Sequence, residues 1–253
     1  MKRALIVDAG NTTVSWRRWE LDEPAGPVKR GRRDAAEDVV LAAMEGRAEA
    51  IVLIVSAPEL GVVIEAEATL AGMKVLRPGR DLPVPMETEY RDPGQLGVDR
   101  LLQAYAAMKQ FGAPVVTCSA GTCVTMEAVD KRGVLVGGAI APGLRAMMAG
   151  IKAAAPHLPM PEELPLAGLG GDVVGKTTEE NLSVGIWLSL GAMIDRMAEL
   201  GRYAVGKGTP VVMTGGDAKA AVRYCREVTR IVPDLAMEGA TRALEGWVED
   251  EQS

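Results

Sequence analysis

The sequence is poor in the residues on which several classes of protein depend. It has three cysteines, one histidine and 4% aromatic residues among 253 residues. The cysteines form no C-x-x-C pair and have no histidine close by, so neither a disulfide framework nor a zinc site is predicted, and a reducing compartment fits. The histidine, His157, lies between prolines in a segment that favours a loop, which argues against a histidine-dependent hydrolase.

Long apolar runs and an excess of positive charge are also missing. The net charge is -6. Acidic residues follow at once after the basic run Lys29 to Arg33, so we interpret it as a solvated loop and expect no nucleic-acid partner. The apolar run Ala4 to Val7 is too short for a signal peptide or a membrane span. We therefore expect a cytoplasmic protein with no membrane partner.

Strand and helix patterns alternate along the chain. Apolar runs typical of buried strands occur at Ala4 to Val7, Ala50 to Val55 and Pro210 to Met213. Helical spacing of apolar residues occurs at Val98 to Phe111 and Thr178 to Leu200. This alternation predicts an α/β fold.

A strand, a tight turn and a second strand occur twice. The first strand ends in Asp8-Ala9-Gly10-Asn11-Thr12, and the strand Pro114 to Cys118 ends in Ser119-Ala120-Gly121-Thr122. The repeat predicts two similar halves, which we place at residues 1–112 and 113–253.

These turns have the composition of phosphate-binding turns. Gly10 lets backbone N–H groups approach a phosphate, Asn11 and Thr12 can donate hydrogen bonds, and Asp8 can hold a metal-bound water. An ordinary tight hairpin would have the same composition. The segment Thr214-Gly215-Gly216-Asp217 follows an apolar strand and could lie against an adenine or a ribose, or simply connect a strand to a helix. No Walker A motif or dinucleotide fingerprint is present, which disfavours P-loop and Rossmann enzymes.

A carboxylate and a guanidinium stand together at the start of the helix predicted from Val98. Asp99 could accept a proton from a substrate hydroxyl, and Arg100 could bind a substrate carboxylate through two hydrogen bonds. Alternatively, Asp99 caps the helix and Arg100 forms a surface ion pair. Residue type alone favours this second interpretation.

Six motifs occur in the order seen in type III pantothenate kinases, and the chain resembles that family over nearly its whole length. They are D-x-G-N-T from Asp8, Y-x-x-P-x-x-L-G-x-D-R from Tyr90, G-T-x-x-T from Gly121, G-G-x-I-x-P-G from Gly137, G-x-x-T from Gly175 and T-G-G-D from Thr214. The L-G-x-D-R and G-G-x-I-x-P-G elements are specific to the family. The resemblance implies the duplicated ribonuclease H-like (actin-like ATPase) fold, two similar halves with mixed sheets flanked by helices.

The resemblance also implies an activity, the ATP-dependent phosphorylation of the 4'-hydroxyl of pantothenate, which is the first step of coenzyme A synthesis. By position, Asp99 is the general base. The implied ATP contacts are Asp8, Ala9, Gly10, Asn11, Thr12, Thr13, Val14, Ser15, Gly121, Thr122, Thr214, Gly215 and Gly216. The implied pantothenate contacts are Tyr90, Gly97, Val98, Asp99, Arg100 and Thr178. Magnesium bound with ATP would lie near Asp8. The family works as a homodimer with the substrate site at the interface, so Thr178 is expected near the partner subunit's site.

The chain departs from the family at a position that normally binds a monovalent cation. Ser119 stands where an aspartate is usual, and Glu127 also replaces an aspartate. A hydroxyl is a weaker ligand than a carboxylate for a hard cation, so a potassium or ammonium site at Ser119 should be weak or absent. The enzyme either works without this cation or is a non-catalytic regulatory paralogue that binds nucleotide or pantothenate. The presence of Asp99, Arg100 and Thr178 favours activity. Another sugar or acetate kinase is a third possibility, against which the segment from Tyr90 to Arg100 argues.

Overall fold

The structure is a computed structural model that describes residues 1–168 and 174–252. In chain order, its strands and helices are β1 (Arg3–Ala9), β2 (Thr13–Glu20), β3 (Lys29–Arg32), α1 (Ala36–Glu45), β4 (Ala50–Val55), α2 (Pro58–Leu70), β5 (Lys74–Leu76), α3 (Val98–Phe111), β6 (Val115–Ala120), β7 (Cys123–Val129), β8 (Leu135–Pro142), α4 (Leu144–Ala154), α5 (Thr178–Val205), β9 (Val211–Thr214), α6 (Ala218–Ala221), β10 (Arg230–Ile231) and α7 (Leu235–Gln252). Short 3-10 turns occur at Pro93–Gln95 and Val222–Tyr224.

The chain divides into two compact units. The first contains Met1–Phe111 and the residues from Asp234 onward, and the second contains Gly112–Pro233. The predicted halves, 1–112 and 113–253, differ from these units at the C-terminus, because α7 packs against α3 in the first unit.

The two units contain sheets with the same strand arrangement. The orders are β3-β2-β1-β4-β5 and β8-β7-β6-β9-β10. In each sheet the central strand runs antiparallel to the strand that follows it and parallel to its other neighbour, so both sheets are mixed. The repeated arrangement, with helices flanking each sheet, confirms the duplicated fold predicted from the sequence.

The side chains of β1 alternate between two apolar clusters. Leu5 and Val7 belong to the cluster that includes α1 and α2, whereas Ala4 and Ile6 belong to the cluster that includes α3 and α7. Since side chains alternate along a strand, Asp8 lies on the same face as Ile6. The Asp8 end of β1 thereby faces the side of the sheet covered by α3 and α7.

The basic run was predicted to be a loop, and this prediction is wrong. Lys29–Arg32 form β3, which pairs antiparallel with β2 at the edge of the first sheet. All but Gly31 in this strand are exposed, as expected of charged residues at a sheet edge. His157 lies in a turn, as predicted.

Within residues 1–168 and 174–252, no helix is long and apolar enough to cross a membrane.

Candidate active site

The turn between β1 and β2 is closed by its own backbone. Gly10 N donates to Thr13 O at 3.1 Å, and a Cβ added at Gly10 would lie 2.9 Å from the same oxygen, which explains the glycine. Asn11 Nδ2 donates weakly to Ser56 O at 3.4 Å. Asn11, Thr12 and Thr13 are exposed. Their polar groups are therefore accessible to a phosphate from solvent.

Asp8 carries a buried carboxylate oxygen without a partner. Its Oδ1 accepts no hydrogen bond from any described residue. Burial, as the largest cause, and the nearby charges of Asp99 and Asp234 together raise the pKa of Asp8 to about 7. Burying a polar atom without a partner is costly, and a cation bound at this oxygen would remove that cost. The residues here consequently fit a metal ion carried by a nucleotide.

Asp99 lies in the first turn of α3, one residue inside the helix rather than at its cap. A Cβ added at Gly97 would lie 2.7 Å from Asp99 Oδ1, so glycine leaves room for the carboxylate. Asp99 is partly exposed, and its charge acts on Asp8. The structure thus brings the predicted base and the predicted metal-binding residue together in the first unit.

Arg100 is buried, with 8% of its surface exposed. Its Nη2 donates to Tyr90 Oη at 2.6 Å, and its guanidinium carbon lies 5.6 Å from the centre of the Tyr90 ring. Arg100 is therefore not at the surface, where the alternative interpretation placed it. Tyr90 and Arg100, both predicted to bind the substrate, are in contact.

Asp234, the residue before α7, forms an acidic group with Asp8 and Asp99. Asp234 was not predicted from the sequence as a member of the site. Arg30 Nη2 donates to its Oδ1 and Oδ2 at 2.5 and 2.6 Å. Its backbone has a φ of 55°, in the left-handed region where Asp is tolerated better than most residues. An Asp directly before an apolar run that can form a helix was the available signal, but α7 itself was not predicted.

In the second unit, two of the predicted turns meet at Ala120. Gly121 N donates to Cys123 O at 3.1 Å, which closes the turn between β6 and β7. Asp217 N donates to Ala120 O at 3.0 Å. Gly215 has a φ of 102°, and a Cβ there would clash with the Ala120 backbone. The segment from Thr214 to Asp217 therefore lies against the Gly121 turn. Gly143 N donates to Thr122 O at 3.2 Å, which ties the residue before α4 to the same turn.

Ser119 stands in a row of hydroxyl-bearing residues. It is opposite Thr125 in β7 and opposite Thr214 in β9. Glu127 is buried farther along β7. No group of three or more His, Cys, Asp or Glu side chains among the described residues is arranged to hold a metal ion.

Thr178 is the first residue of α5 and is exposed. The residue before it, Thr177, accepts a hydrogen bond from Glu180 N at 3.2 Å, and Glu180 Oε2 accepts from Thr177 N at 3.2 Å. This capping box fixes the start of the helix. The side chain of Thr178 is thus presented at a well-defined helix end in the second unit.

Comparison with solved structures identifies the class of fold. The chain resembles the inorganic polyphosphate/ATP-glucomannokinase of Arthrobacter sp. strain KM, with a TM-score of 0.51, 16% identity and coverage of 98% of this chain and 100% of that one. It also resembles the activator of the 2-hydroxyisocaproyl-CoA dehydratase of Clostridium difficile with bound ADPNP, with a TM-score of 0.56, 13% identity and coverage of 99% and 97%. The fold is that of the actin-like ATPases and sugar kinases.

Comparison with sequence families is more specific. Residues 4–200 match the family model of type III pantothenate kinase. The type III pantothenate kinase of Rubrobacter xylanophilus is 35% identical over 169 residues, which are 64% of this chain and 62% of that protein, less than two thirds of its length. That of Rhizorhabdus wittichii is 29% identical over 256 residues, 93% of this chain and 95% of that protein. The chain belongs to the type III pantothenate kinase family.

Proposed function

We propose that the protein transfers the γ-phosphoryl group of ATP to the 4'-hydroxyl of pantothenate, the first step of coenzyme A synthesis. The observation that carries this proposal is the grouping of Asp99 with Asp8 in the first unit, next to the contact between Arg100 and Tyr90. Membership of the family supports it. None of the comparisons favours the alternative of a non-catalytic paralogue.

Asp99 is the proposed general base. As the pantothenate hydroxyl oxygen forms its bond to the γ-phosphorus, the bond from that phosphorus to the β-γ bridging oxygen breaks and ADP leaves. The hydroxyl proton passes to the Asp99 carboxylate. The position of Asp99 in the first turn of α3, on a rigid helix, would hold the carboxylate in a fixed place for this transfer.

The pantothenate carboxylate is the proposed partner of Arg100. Tyr90 engages one nitrogen of the guanidinium and would orient it. A guanidinium can bind a carboxylate through two parallel hydrogen bonds, which gives geometric selectivity as well as affinity. Gly97 and Val98 are further proposed pantothenate contacts by their resemblance to family positions. Thr178 is proposed, on the same basis, to contact pantothenate at the partner subunit's site.

The proposed ATP contacts are carried over from the family, position by position. In the first unit, Asp8 to Ser15 would hold the phosphates, and their exposed Asn and Thr side chains support this. In the second unit, Gly121 and Thr122 would assist with phosphates. Thr214, Gly215 and Gly216 would lie against the nucleoside, since the glycine backbone permits close approach.

Asp8 would hold the magnesium ion that accompanies ATP, because its buried Oδ1 has no partner among the described residues. Bound there, magnesium would neutralise charge on the transferring phosphoryl group. Magnesium is usually held by one or two carboxylates together with substrate phosphates, so a complete protein cage is not needed.

We further propose that activity does not depend on potassium or ammonium. The row of Ser119, Thr125 and Thr214 offers hydroxyl oxygens where the family aspartate would offer a charge. A cytoplasmic homodimer is also proposed, by resemblance to the family.

The test is ATP-dependent phosphorylation of pantothenate by the purified protein with magnesium, with and without potassium or ammonium. Asp99→Asn should lower kcat by about 10³-fold, the size expected for removal of a general base, while the Kd for ATP stays within about threefold of the wild type. Asp92→Asn is a matched control, since the Asp92 carboxylate accepts hydrogen bonds from Gly94 N and Gln95 Nε2 within the neighbouring 3-10 turn. Turnover by Asp99→Asn close to that of Asp92→Asn would overturn the assignment of the base.

A further inference from the structure

Arg30 lies in one row with Asp8 across three strands. Asp8 is opposite Ser15, and Ser15 is opposite Arg30. Directly opposed residues point to the same face of a sheet, and strands are about 4.8 Å apart, so the Cα atoms of Asp8 and Arg30 are separated by roughly 10 Å. An extended arginine side chain covers much of that distance. Arg30 consequently belongs to the face that carries the acidic group.

The guanidinium of Arg30 is held by Asp234 but does not use all its hydrogen-bond donors. Only Nη2 is engaged, by the two carboxylate oxygens of Asp234. Nε and Nη1 make no hydrogen bond to any described residue, and 52% of the side chain is exposed. A guanidinium has five N–H donors, so most of those of Arg30 remain available to a ligand.

Arg17, two residues after Ser15 on the same face, shows the contrast. Its side chain is only 10% exposed, and its Nη2 is engaged by Glu238, Thr241 and the carbonyl of Met237. Arg17 therefore serves the packing of α7 on the sheet. Arg30, by comparison, keeps its positive charge accessible.

The charge balance of this face calls for such a cation. Asp8, Asp99 and Asp234 are close enough for the latter two to act on the first. Three carboxylates would repel the phosphates of ATP, which carry several negative charges. Among the described residues, Asp234 is the one of the three that forms an ion pair with an arginine. A guanidinium with free donors is well suited to phosphate oxygens.

We propose that Arg30 binds the phosphates of ATP and that Asp234 positions it for this contact. The inference rests on the proposed function in that ATP is the nucleotide bound. It adds to that function a phosphate contact from β3, outside every motif by which the family is recognised in this chain. Arg30 is the contacting residue, and Asp234 acts through it.

Arg30→Gln should weaken the binding of MgATP at least tenfold and lower kcat, while the Kd for adenosine, which has no phosphate, stays unchanged. Binding is measured by titration calorimetry, and the turnover of pantothenate is measured separately. Lys29→Gln is the matched control, because Lys29 carries the same charge on the same strand but is opposite Trp16, on the other face of the sheet. It should bind both ligands like the wild type. Arg30→Lys keeps the positive charge but loses the planar guanidinium with its paired donors. Its Kd for MgATP should lie between those of Arg30→Gln and Lys29→Gln.

Asp234→Asn tests positioning separately. It removes a negative charge near the phosphates, so the Kd for MgATP should not rise, but kcat should fall several-fold because Arg30 loses its anchor. Equal weakening of ATP and adenosine binding in Arg30→Gln, or ATP binding equal to that of Lys29→Gln, would overturn the inference. So would wild-type kcat in Asp234→Asn. The binding comparison does not require turnover. A wild-type protein that binds ATP without phosphorylating pantothenate would refute the proposed function, but the Kd values of the Arg30 variants would still test the role of Arg30.

Discussion

The two units share a backbone frame and differ in the chemistry placed on it. Asp8 and Ser119 occupy equivalent places, each one residue before the end of the central strand and two before a turn glycine. The turn glycine donates from its N–H in both, Gly10 to Thr13 O and Gly121 to Cys123 O, each at 3.1 Å. The side chains differ, because one position has a carboxylate within an acidic group and the other has a hydroxyl within a row of hydroxyls.

The strand next to the central one also closes both turns in the same way. After β4, Ser56 N and Ala57 N donate to Ala9 O, and after β9, Asp217 N donates to Ala120 O. These bonds satisfy the carbonyl that precedes each glycine. The two turns are thus held by backbone hydrogen bonds, which tolerate a change of side chain. The first unit can therefore have a carboxylate, Asp8, where the second has a hydroxyl, Ser119.

The difference between the two units is tested most strongly by changing the polar side chain at each of the two equivalent positions, Asp8 and Ser119. Asp8→Asn should lower kcat/KM with MgATP by about 10³-fold, since it removes the proposed metal-binding charge. Ser119→Ala should lower it by less than about threefold, because no strong cation contact is expected there. Steady-state kinetics on both variants check this. Similar losses in the two variants would show that the units contribute equally to the chemistry.

A second prediction concerns the backbone contact between Gly215 and Ala120. Gly215→Ala should lower the free energy of unfolding by about 3 kcal/mol, because φ is positive and the new Cβ would clash with the Ala120 backbone. Gly216→Ala is the control, since a Cβ there would meet nothing within 4 Å. Urea unfolding measures both. An equal effect of the two substitutions would contradict the close approach of the Thr214 segment to Ala120.

A third prediction concerns the dependence of stability on pH. The pKa of Asp8 is raised from 3.8 to about 7, so the folded state binds a proton more tightly than the unfolded state. Asp8 therefore favours folding fully below pH 3.8, and this contribution is lost as the pH rises to about 7. Without nucleotide, Asp8→Asn should raise the free energy of unfolding by up to about 4 kcal/mol at pH 8, and by less than about 1 kcal/mol at pH 4. Ser119→Ala should show no such trend; a constant difference between wild type and Asp8→Asn at both pH values would refute the prediction.

Where local pattern and packing agree, the sequence was sufficient to predict the element. The predicted bounds of Ala50–Val55 and Val98–Phe111 are those observed. Asp99 and Arg100 were also placed at a helix start by pattern, and the motif order predicted which residues belong to the site. Their roles remain predictions until the variants are measured.

Elements that depend on packing were missed. Strand β8 contains Gly137 and Gly138, which interrupt the apolar alternation, and it is held by pairing with β7. Helix α7 contains Gly239, where a Cβ would clash with the backbone of Leu102 in α3. Glycine lowers intrinsic helix propensity but permits this close contact, so tertiary packing outweighs local preference. Asp234 was missed for the same reason, since only the docking of α7 brings it to the first sheet.

The return of α7 to the first unit has a consequence for protein synthesis. Residues 1–111 leave the ribosome long before the helix that completes their core, and everything between Gly112 and Pro233 must be translated in the meantime. The first unit therefore cannot reach its final packing as the nascent chain emerges, although domains usually fold in order from the N-terminus. The acidic group is completed only after residues 112–233 have been translated, so a product terminated before Asp234 would have the signature motifs and still lack the carboxylate that holds Arg30.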